Sequence, residues 1–336
     1  MNTTEQLNIA QANKKDEFYT QYEDIKKELI YYKPFFKDKV VYCNCDKYSE
    51  SNFTKYFVDY FDELGLKKLI CTNYVPEPNL LNVVTVYIPA HKYEYYGNGK
   101  DFLRPLINGD FRSEECTEIL DEADVVVTNP PFSLFREFVA KMFRHKKKFL
   151  IIGNVNAISY KETFMHILRG EMWLGQSIHS GDREFRVPDN YPLEAYNSRM
   201  DSDGNKYIRV KGVRWFTNID CNERHRKLKL TERYVPERYP KFDNIDAINV
   251  GRTKDIPYNY NGVMGVPITF LDWFNPDQFE LIGNEYTLRI NGGRGYVNGQ
   301  RMYGRIFIKR NPNNIEVEQH YYTGDLFEQH TQEMVL

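Results

Sequence analysis

Four consecutive residues, Asn129-Pro130-Pro131-Phe132, set two hydrogen-bond acceptors and an aromatic ring at the end of the apolar run Asp124-Val-Val-Val-Thr128. An Asn side-chain oxygen and a backbone carbonyl can each accept one hydrogen of a planar amino group. Such a nitrogen is a poor nucleophile, because its lone pair is delocalised into the attached π system. Holding both hydrogens draws it toward a tetrahedral shape and frees the pair for attack. Proline suits the second place, since it fixes φ and carries no N–H, which keeps the carbonyl aimed. Phe132 would offer a flat face to an extruded base, a contact worth roughly 1–3 kcal/mol. The implied chemistry is methyl transfer to a planar nitrogen, with in-line positioning of the methyl donor as the other requirement. The same tetrad could merely end a strand. Its place after a buried strand and before an amphipathic helix favours the catalytic reading, since ligands of open α/β sheets bind at that edge.

The elements that must position this loop are legible as apolar periodicity. Strand-like runs at 39–44, 67–72, 124–128 and 148–153 alternate with helical patterns at 51–64, 113–120 and 133–145. That alternation predicts an α/β domain with a mainly parallel sheet, and its nearly all-apolar strands suit a sheet covered on both faces. Ser133 reads as a helix N-cap, with Glu137 and Lys141 on the polar face and Leu134, Phe135, Phe138 and Val139 on the buried one. Residues 16–32, taken alone, read as an amphipathic helix. After about residue 170 Gly and Pro become frequent, and strand-like pieces fall at 211–218, 263–271 and 305–309. Gly292-Gly293-Arg294-Gly295 followed by Asn298-Gly299 reads as turns or a hairpin. Two regions are expected, 1–170 as the core and 171–336 as the remainder of its sheet with a smaller appended part.

Composition narrows the class. The 336 residues are 41% hydrophobic and 27% charged, as in an ordinary soluble globular protein. Its 26 Tyr and 22 Phe are by number mostly core fillers, with some left for stacking at a surface. Five scattered cysteines with no C-x-x-C pair, and dispersed histidines with no H-x-E…C-x-x-C pattern, argue against a disulfide framework, a zinc site and a zinc deaminase. The first residues are polar and no run of 18 apolar residues occurs, so a cytoplasmic protein without a membrane span is expected. Net charge is only −2, but six Arg and Lys and no acid fall within 286–310, while the tail after it holds five acids. That stretch is either a face that meets polyanion or a solvated hairpin surface. The run Arg144–Lys148 reads as the solvated end of a helix.

Several longer stretches carry a resemblance. Asp16-Glu-Phe-Tyr-Thr-Gln-Tyr22, Val40-Val-Tyr-Cys-Asn-Cys-Asp46, Gly109-Asp-Phe-Arg-Ser113, Asp124–Phe135, Lys148–Asn156, Trp173-Leu-Gly175, Tyr239–Val250 and Tyr260–Leu271 are similar to segments of the EcoRI-type DNA adenine methyltransferases. The resemblance runs through most of the chain. It implies a Rossmann-like class I methyltransferase sheet with helices on both faces, plus a C-terminal target-recognition region. It also implies S-adenosylmethionine as cofactor and double-stranded DNA as partner, with the adenine flipped from the stack at a cost of a few kcal/mol.

By that resemblance Phe18, Tyr19 and Thr20 belong to the segment that closes over the cofactor's methionine part. Cys43, Asn44 and Asp46 stand where most methyltransferases have a glycine-rich turn, and no glycine occurs here. The next strand ends at Asn73 without the acid that commonly holds the ribose hydroxyls. Asp110 is placed to accept from the cofactor's adenine amino group, with Phe111 beside the ring; a turn Asp capping the Ser113 helix is the alternative. Asn129 completes the cofactor set. Phosphate contacts are expected from Arg224, Arg226, Lys227, Lys229, Arg289, Arg294, Arg301 and Arg305, and Asn154 and Asn156 are candidates for the base pocket. A monomer is expected, with any cognate restriction endonuclease acting on the same site without a stable complex. An RNA adenine or protein glutamine acceptor, or a non-catalytic nucleic-acid-binding module, are the competing readings.

Overall fold

The apolar runs become neighbouring strands in a computed structural model that describes residues 18–75, 90–188, 191, 198–290 and 293–311. Asp16 and Glu17 of the N-terminal motif, Gly292, and the acidic tail after Asn311 lie outside the described residues. The chain divides into two compact units, Met1–Cys221 and Asn222–Leu336.

Strands of the first unit are β1 (Tyr19–Thr20), β2 (Val40–Cys43), β3 (Lys68–Thr72), β4 (Ala90–Tyr95), β5 (Asp101–Leu106) and β6 (Val125–Thr128). They continue with β7 (Lys148–Asn154), β8 (Trp173–Leu174), β9 (Asp182–Val187), β10 (Ser198–Met200), β11 (Lys206–Lys211) and β12 (Val213–Thr217). Its helices are α1 (Tyr22–Leu29), α2 (Asn52–Asp59), α3 (Phe61–Leu64), α4 (Glu114–Glu122), α5 (Phe135–Arg144) and α6 (Lys161–Leu168).

Eight strands form one mixed sheet in the order β5-β4-β3-β2-β6-β7-β12-β8. Only its centre is parallel, through the pairs β2–β3, β2–β6 and β6–β7. The expected mainly parallel sheet is thus corrected: β4 and β5 form a hairpin on one flank, and β12 runs antiparallel between β7 and β8 on the other. A hairpin needs no crossover helix, so its strands leave no helical pattern in the sequence. Residues 171–221 supply β8 and β12 to this sheet and three strands to a second, ordered β1-β9-β11-β10.

The core is aromatic, with Tyr42, Phe53, Tyr56, Phe57, Phe135, Phe138, Phe149 and Trp215 all buried. Gly153 on β7 exists for this packing, because a Cβ there would come within 2.3 Å of the Phe135 ring. Ser51 caps α2, accepting from Phe53 N at 3.1 Å and Thr54 N at 3.4 Å. The predicted helix over 51–64 is interrupted at Tyr60, and the pattern over 16–32 is a short strand followed by α1.

Two readings of α5 are corrected. Ser133 is not its cap: a 3-10 turn over Phe132–Leu134 intervenes, and the cap position falls on Leu134. Lys141 is buried rather than on the polar face, and its ammonium donates to the Phe111 carbonyl at 2.7 Å and to Thr117 Oγ1 at 2.5 Å. Burial lowers its pKa from the ordinary lysine value. A long aliphatic stem lets a lysine cross an apolar face and place its head on polar groups beyond it.

The second unit is built on β13 (Ile248–Asn249), β14 (Met264–Pro267), β15 (Phe279–Asn284), β16 (Tyr296–Val297), β17 (Gln300–Arg301) and β18 (Arg305–Arg310). Four of these form a sheet ordered β13-β14-β18-β15, with Phe242 packed on Phe307. The predicted hairpin is β16–β17, turned by Asn298 and Gly299 with φ of 51° and 74°. The strand expected over 263–271 stops at Pro267 and passes into a 3-10 turn. Among the described residues no helix is long and apolar enough to cross a membrane.

Glu28 ties the N-terminal helix to the Trp173-Leu-Gly175 motif. Its fully buried carboxylate accepts from Gln176 N at 2.8 Å, Ser177 N at 2.7 Å and Tyr32 OH at 3.1 Å. A Cβ at Gly175 would lie 2.2 Å from Glu28 Oε1, so glycine is required for that approach. Glu28→Ala strands two buried N–H groups and a phenol, and should cost about 2–4 kcal/mol. Urea unfolding at neutral pH measures this, with Glu28→Gln expected to lose less because its amide oxygen still accepts.

Candidate active site

The strands β2 and β6 lie side by side and parallel at the centre of the sheet, where its order reverses. Connections leave in opposite directions there and open a crevice beyond the carboxyl ends of the strands. A cleft of about 270 Å³ occupies that place. Of the residues singled out in the sequence, Phe18, Tyr19, Asn44, Asp46, Asn73, Asp110, Phe111, Asn129 and Pro131 line it. Thr20, Cys43, Pro130 and Phe132 do not. Cys43 is buried within β2, and Thr20 lies in β1 with its carbonyl accepting from Asn52 Nδ2 at 2.7 Å.

Asn129 is held by one end. Its Nδ2 donates to the Phe18 carbonyl at 2.7 Å, which fixes the amide orientation. The other end, Oδ1, is buried and has no hydrogen-bond partner. A buried acceptor left without a donor costs about 1–3 kcal/mol, and such groups are rare away from functional sites. Phe132 differs from its expected role as an open platform. It is only 8% exposed, and its ring packs against Phe18 at 5.7 Å, interplanar angle 79°, and Phe185 at 6.4 Å, 88°.

Asp46 lies just beyond β2, with its backbone N–H on the Thr72 carbonyl of β3 at 2.9 Å. Its carboxylate accepts from Ser51 Oγ at 2.5 Å and from Thr128 Oγ1 at 2.6 Å. One acid therefore ties together the end of β2, the start of α2 and the residue before Asn129. Burial pushes its pKa up to about 6, against the opposing effect of the two hydroxyl donors.

The opposite wall is the loop at 107–113. Glu115 accepts from the N–H groups of Ile107, Asn108 and Gly109 at 3.0, 3.2 and 3.1 Å. Burial works against its charge, but those three donors hold its carboxyl below the usual range. Gly109 has φ of 65°, and a Cβ there would sit 2.0 Å from the Asn73 carbonyl, so no other residue fits. Asn73 in turn accepts from His91 N at 3.2 Å. Asp110 is forked by Arg112, whose Nε reaches Oδ1 at 2.9 Å and whose Nη2 reaches Oδ2 at 2.6 Å. Burial opposes ionisation of Asp110, and this guanidinium overrides it, lowering the pKa. The Asp110 carbonyl accepts from Ser113 Oγ at 2.7 Å, while Ser113 itself caps α4. Asp110 is the turn residue of the capping alternative, since its Oδ1 also accepts from Arg112 N at 2.8 Å, but the cap of α4 is Ser113.

Sequence reasoning missed Arg112, Glu115 and Lys141. The Arg lay in plain view within Gly109-Asp-Phe-Arg, whereas the other two look like ordinary helix-surface charges until the loop is folded against them. Asn154 donates to the Lys211 carbonyl at 2.8 Å and accepts from Asn156 N at 3.0 Å, which closes a turn outside the lining of this cleft.

In the second unit Arg226, Lys227, Lys229, Arg289 and Arg301 are exposed, and Arg224 and Arg294 are half-buried. Arg305 departs from expectation. It is 9% exposed on β18, with Nε on Asn249 Oδ1 at 3.2 Å and its backbone N–H on Glu285 Oε1 at 2.8 Å. It lies in a strand whose residues are all buried except Lys309, so it is not an open phosphate contact.

Comparison with known proteins adds an independent line. The family model described as adenine-specific methyltransferase EcoRI matches residues 6–323. The chain is 48% identical over 317 residues to the type II methyltransferase M.EcoRI of Escherichia coli, covering 91% of this chain and 97% of that protein. It is 39% identical over 329 residues to the type II methyltransferase M.MpnI of Mycoplasma pneumoniae, covering 92% and 99%. No solved structure matches the chain.

The Asp46 network predicts a pH dependence of stability. The carboxyl titrates near 3.8 when unperturbed and near about 6 in the fold, so protonation favours the folded state. The cost of ionisation is absent below the first value, builds between the two, and is complete above the second. The gap corresponds to roughly 3 kcal/mol. Asp46→Asn keeps an acceptor and cannot ionise. Urea unfolding from pH 4 to 7.5 should show the variant gaining stability relative to the parent as pH rises through this window.

Proposed function

This chain belongs to the EcoRI adenine-specific methyltransferase family, and we propose that it transfers a methyl group to the N6 amino nitrogen of an adenine flipped out of duplex DNA. The observation that carries this reading is the Asn129 amide, pinned through Nδ2 with its buried Oδ1 unpartnered at the carboxyl end of β6. That oxygen meets one amino hydrogen, and the Pro130 carbonyl meets the other. The two acceptors localise the lone pair for in-line attack. No strong general base is required, because the proton can pass to water after transfer.

S-adenosylmethionine, when bound, supplies the electrophilic methyl. The cleft's donor and acceptor set fits it. Asp110 is kept ionised by Arg112, whose backbone N–H and guanidinium place four hydrogen bonds on its carboxylate, and an adenine amino group would take the place of the longest of these, with Phe111 beside it. Asn73 stands at the end of β3, where a ribose would lie, and Phe18, Tyr19 and Asn44 line the side nearest Asn129. The insertion of antiparallel β12 between β7 and β8 supports a class I methyltransferase sheet of Rossmann-like kind. A flipped base needs duplex contacts elsewhere, and Arg224, Arg226, Lys227, Lys229, Arg289, Arg294 and Arg301 of the second unit are proposed to hold phosphates. The names of the relatives place them in type II modification systems. The same setting is proposed here: a cytoplasmic, monomeric enzyme whose cognate nuclease, where one exists, shares the site and forms no stable complex.

Tritium transfer from labelled S-adenosylmethionine to duplex DNA tests the reading. Asn129→Ala should lower kcat about 10²–10³-fold while cofactor affinity changes by no more than a few fold. Methylation at the parent's rate by that variant would refute the mechanism. Transfer to single-stranded RNA or to a glutamine peptide in preference to duplex DNA would replace the acceptor.

A further inference from the structure

The small sheet beside the cleft carries a pattern that methyl transfer does not use. In its order β1-β9-β11-β10, backbone register sets Tyr19 opposite Arg186, Arg186 opposite Tyr207, and Tyr207 opposite Arg199. Residues directly opposite one another share a face, so Tyr-Arg-Tyr-Arg forms one row across four strands. The adjoining row, Thr20, Phe185, Ile208 and Ser198, belongs to the other face. That face is the packed one: Phe185 is 1% exposed and lies 5.9 Å from Phe18. The Tyr-Arg row is thereby on the outer face, with Arg199 exposed and the other three half-buried.

The row is built for a planar or anionic ligand. The Arg199 guanidinium lies 4.2 Å from the centre of the Tyr207 ring, which is itself fixed by donating to Asp201 at 3.1 Å. Arg186 Nε is buried without a hydrogen-bond partner. The next positions on this face pair Glu184 with Arg209 and Asp182 with Lys211. They border an open recess of about 540 Å³ lined by Gly181, Asp182, Glu184 and Arg209. Glu184 holds Arg199 at 2.5 Å and lies 3.9 Å from Arg209, so it is the acid that masks two of the face's cations. At the inner end Tyr19 also lines the cleft, which makes the row continuous with the site of Asn129.

We propose that this outer face grips the phosphodiester backbone of the DNA strand that leads to the target adenine, with Arg186, Arg199 and Arg209 as phosphate ligands. Arg suits this task because its planar fork meets two phosphate oxygens at once, and interleaved tyrosines give flat support without sequence preference. The face lies wholly within the first unit, outside the basic stretches visible in the sequence. The proposal rests on the reading of duplex DNA as substrate.

Binding of the full chain to a fluorescein-labelled duplex of mixed sequence, followed by anisotropy across a KCl series, tests it. Removing one phosphate ligand should flatten the slope of log K against log salt by about 0.9. Arg186→Gln and Arg209→Gln should each do so and weaken binding about tenfold at low salt. Arg186→Lys should restore most of the slope. Glu184→Gln, by unmasking Arg199 and Arg209, should tighten binding several fold and steepen the slope. S-adenosylmethionine affinity should stay at the parent value in all four.

Slopes unchanged in Arg209→Gln and Glu184→Gln would overturn the proposal even if Arg186→Gln failed to fold. So would weaker binding in Arg186→Gln at an unchanged slope, which marks a structural role. Absence of methyl transfer to duplex DNA by the parent protein would defeat the substrate reading instead, and is measured separately.

Discussion

A carboxylate buried at the meeting point of β2, α2 and β6 is costly unless donors surround it, and much of the site follows from how Asp46 meets that constraint. Ser51 and Thr128 supply the donors. Ser51 can do so only by standing at the start of α2, where its oxygen also receives two helix N–H groups. Thr128 can do so only at the last position of β6. Placing Thr128 places Asn129, one residue on. The 129–132 loop is thus anchored to the turn after β2, where this chain has no glycine-rich loop. The anchor is a side-chain network where related folds use close backbone approach.

A second tie comes from the N-terminus. Phe18 presents its carbonyl to Asn129 Nδ2 and its ring to Phe132 and Phe185. Residues 111 positions apart in sequence thereby share one hydrogen bond and one aromatic cluster. β1 pairs with β9, so the small sheet, Phe18 and the 129–132 loop form a connected body. The Phe18 carbonyl fixes the Asn129 amide, so displacing Phe18 would release that amide to rotate.

What the sequence made legible was whatever depends on local pattern. The strands of the parallel centre, the helix starting near Ser113, and the turn at Asn298-Gly299 follow from periodicity and turn chemistry. What it hid depends on tertiary placement. Lys141 looks like a surface residue because its charge falls on a polar helical position, and only the Phe111 carbonyl and Thr117 hydroxyl across the gap explain its burial. Arg305 sits in a basic run, yet it belongs to a strand buried at every position but Lys309, and its guanidinium meets Asn249. Phe132 follows two prolines at an apparent rim, but Phe18 arrives from far along the chain to cover it. The β9–β11 pair alternates outward polar residues with inward Phe185, Val187, Ile208 and Val210, but only two apolar positions mark each strand, so the pattern is faint. The cleft residues fared better, since the family resemblance selected them by position and the crevice between β2 and β6 gathers nine of those named.

The choice of Asn at position 129 follows from the same electrostatics that govern Asp46. A carboxylate in this wall is pushed up to about 6 even with two hydroxyl donors on it. An acid at 129 would have its second oxygen buried with no donor at all, so its ionised form would be disfavoured more strongly. Protonated, it would present an O–H, a donor, toward an amino group that needs an acceptor. Asn offers a carbonyl oxygen of fixed polarity at every pH, and the Phe18 carbonyl decides which end of the amide that is. Asp110 meets the opposite situation: Arg112 forks its carboxylate and holds it ionised, so a charged acceptor is sustainable there. On the proposed reading, the neutral acceptor meets the amino group that must be polarised for reaction, and the charged one meets the amino group that is only bound.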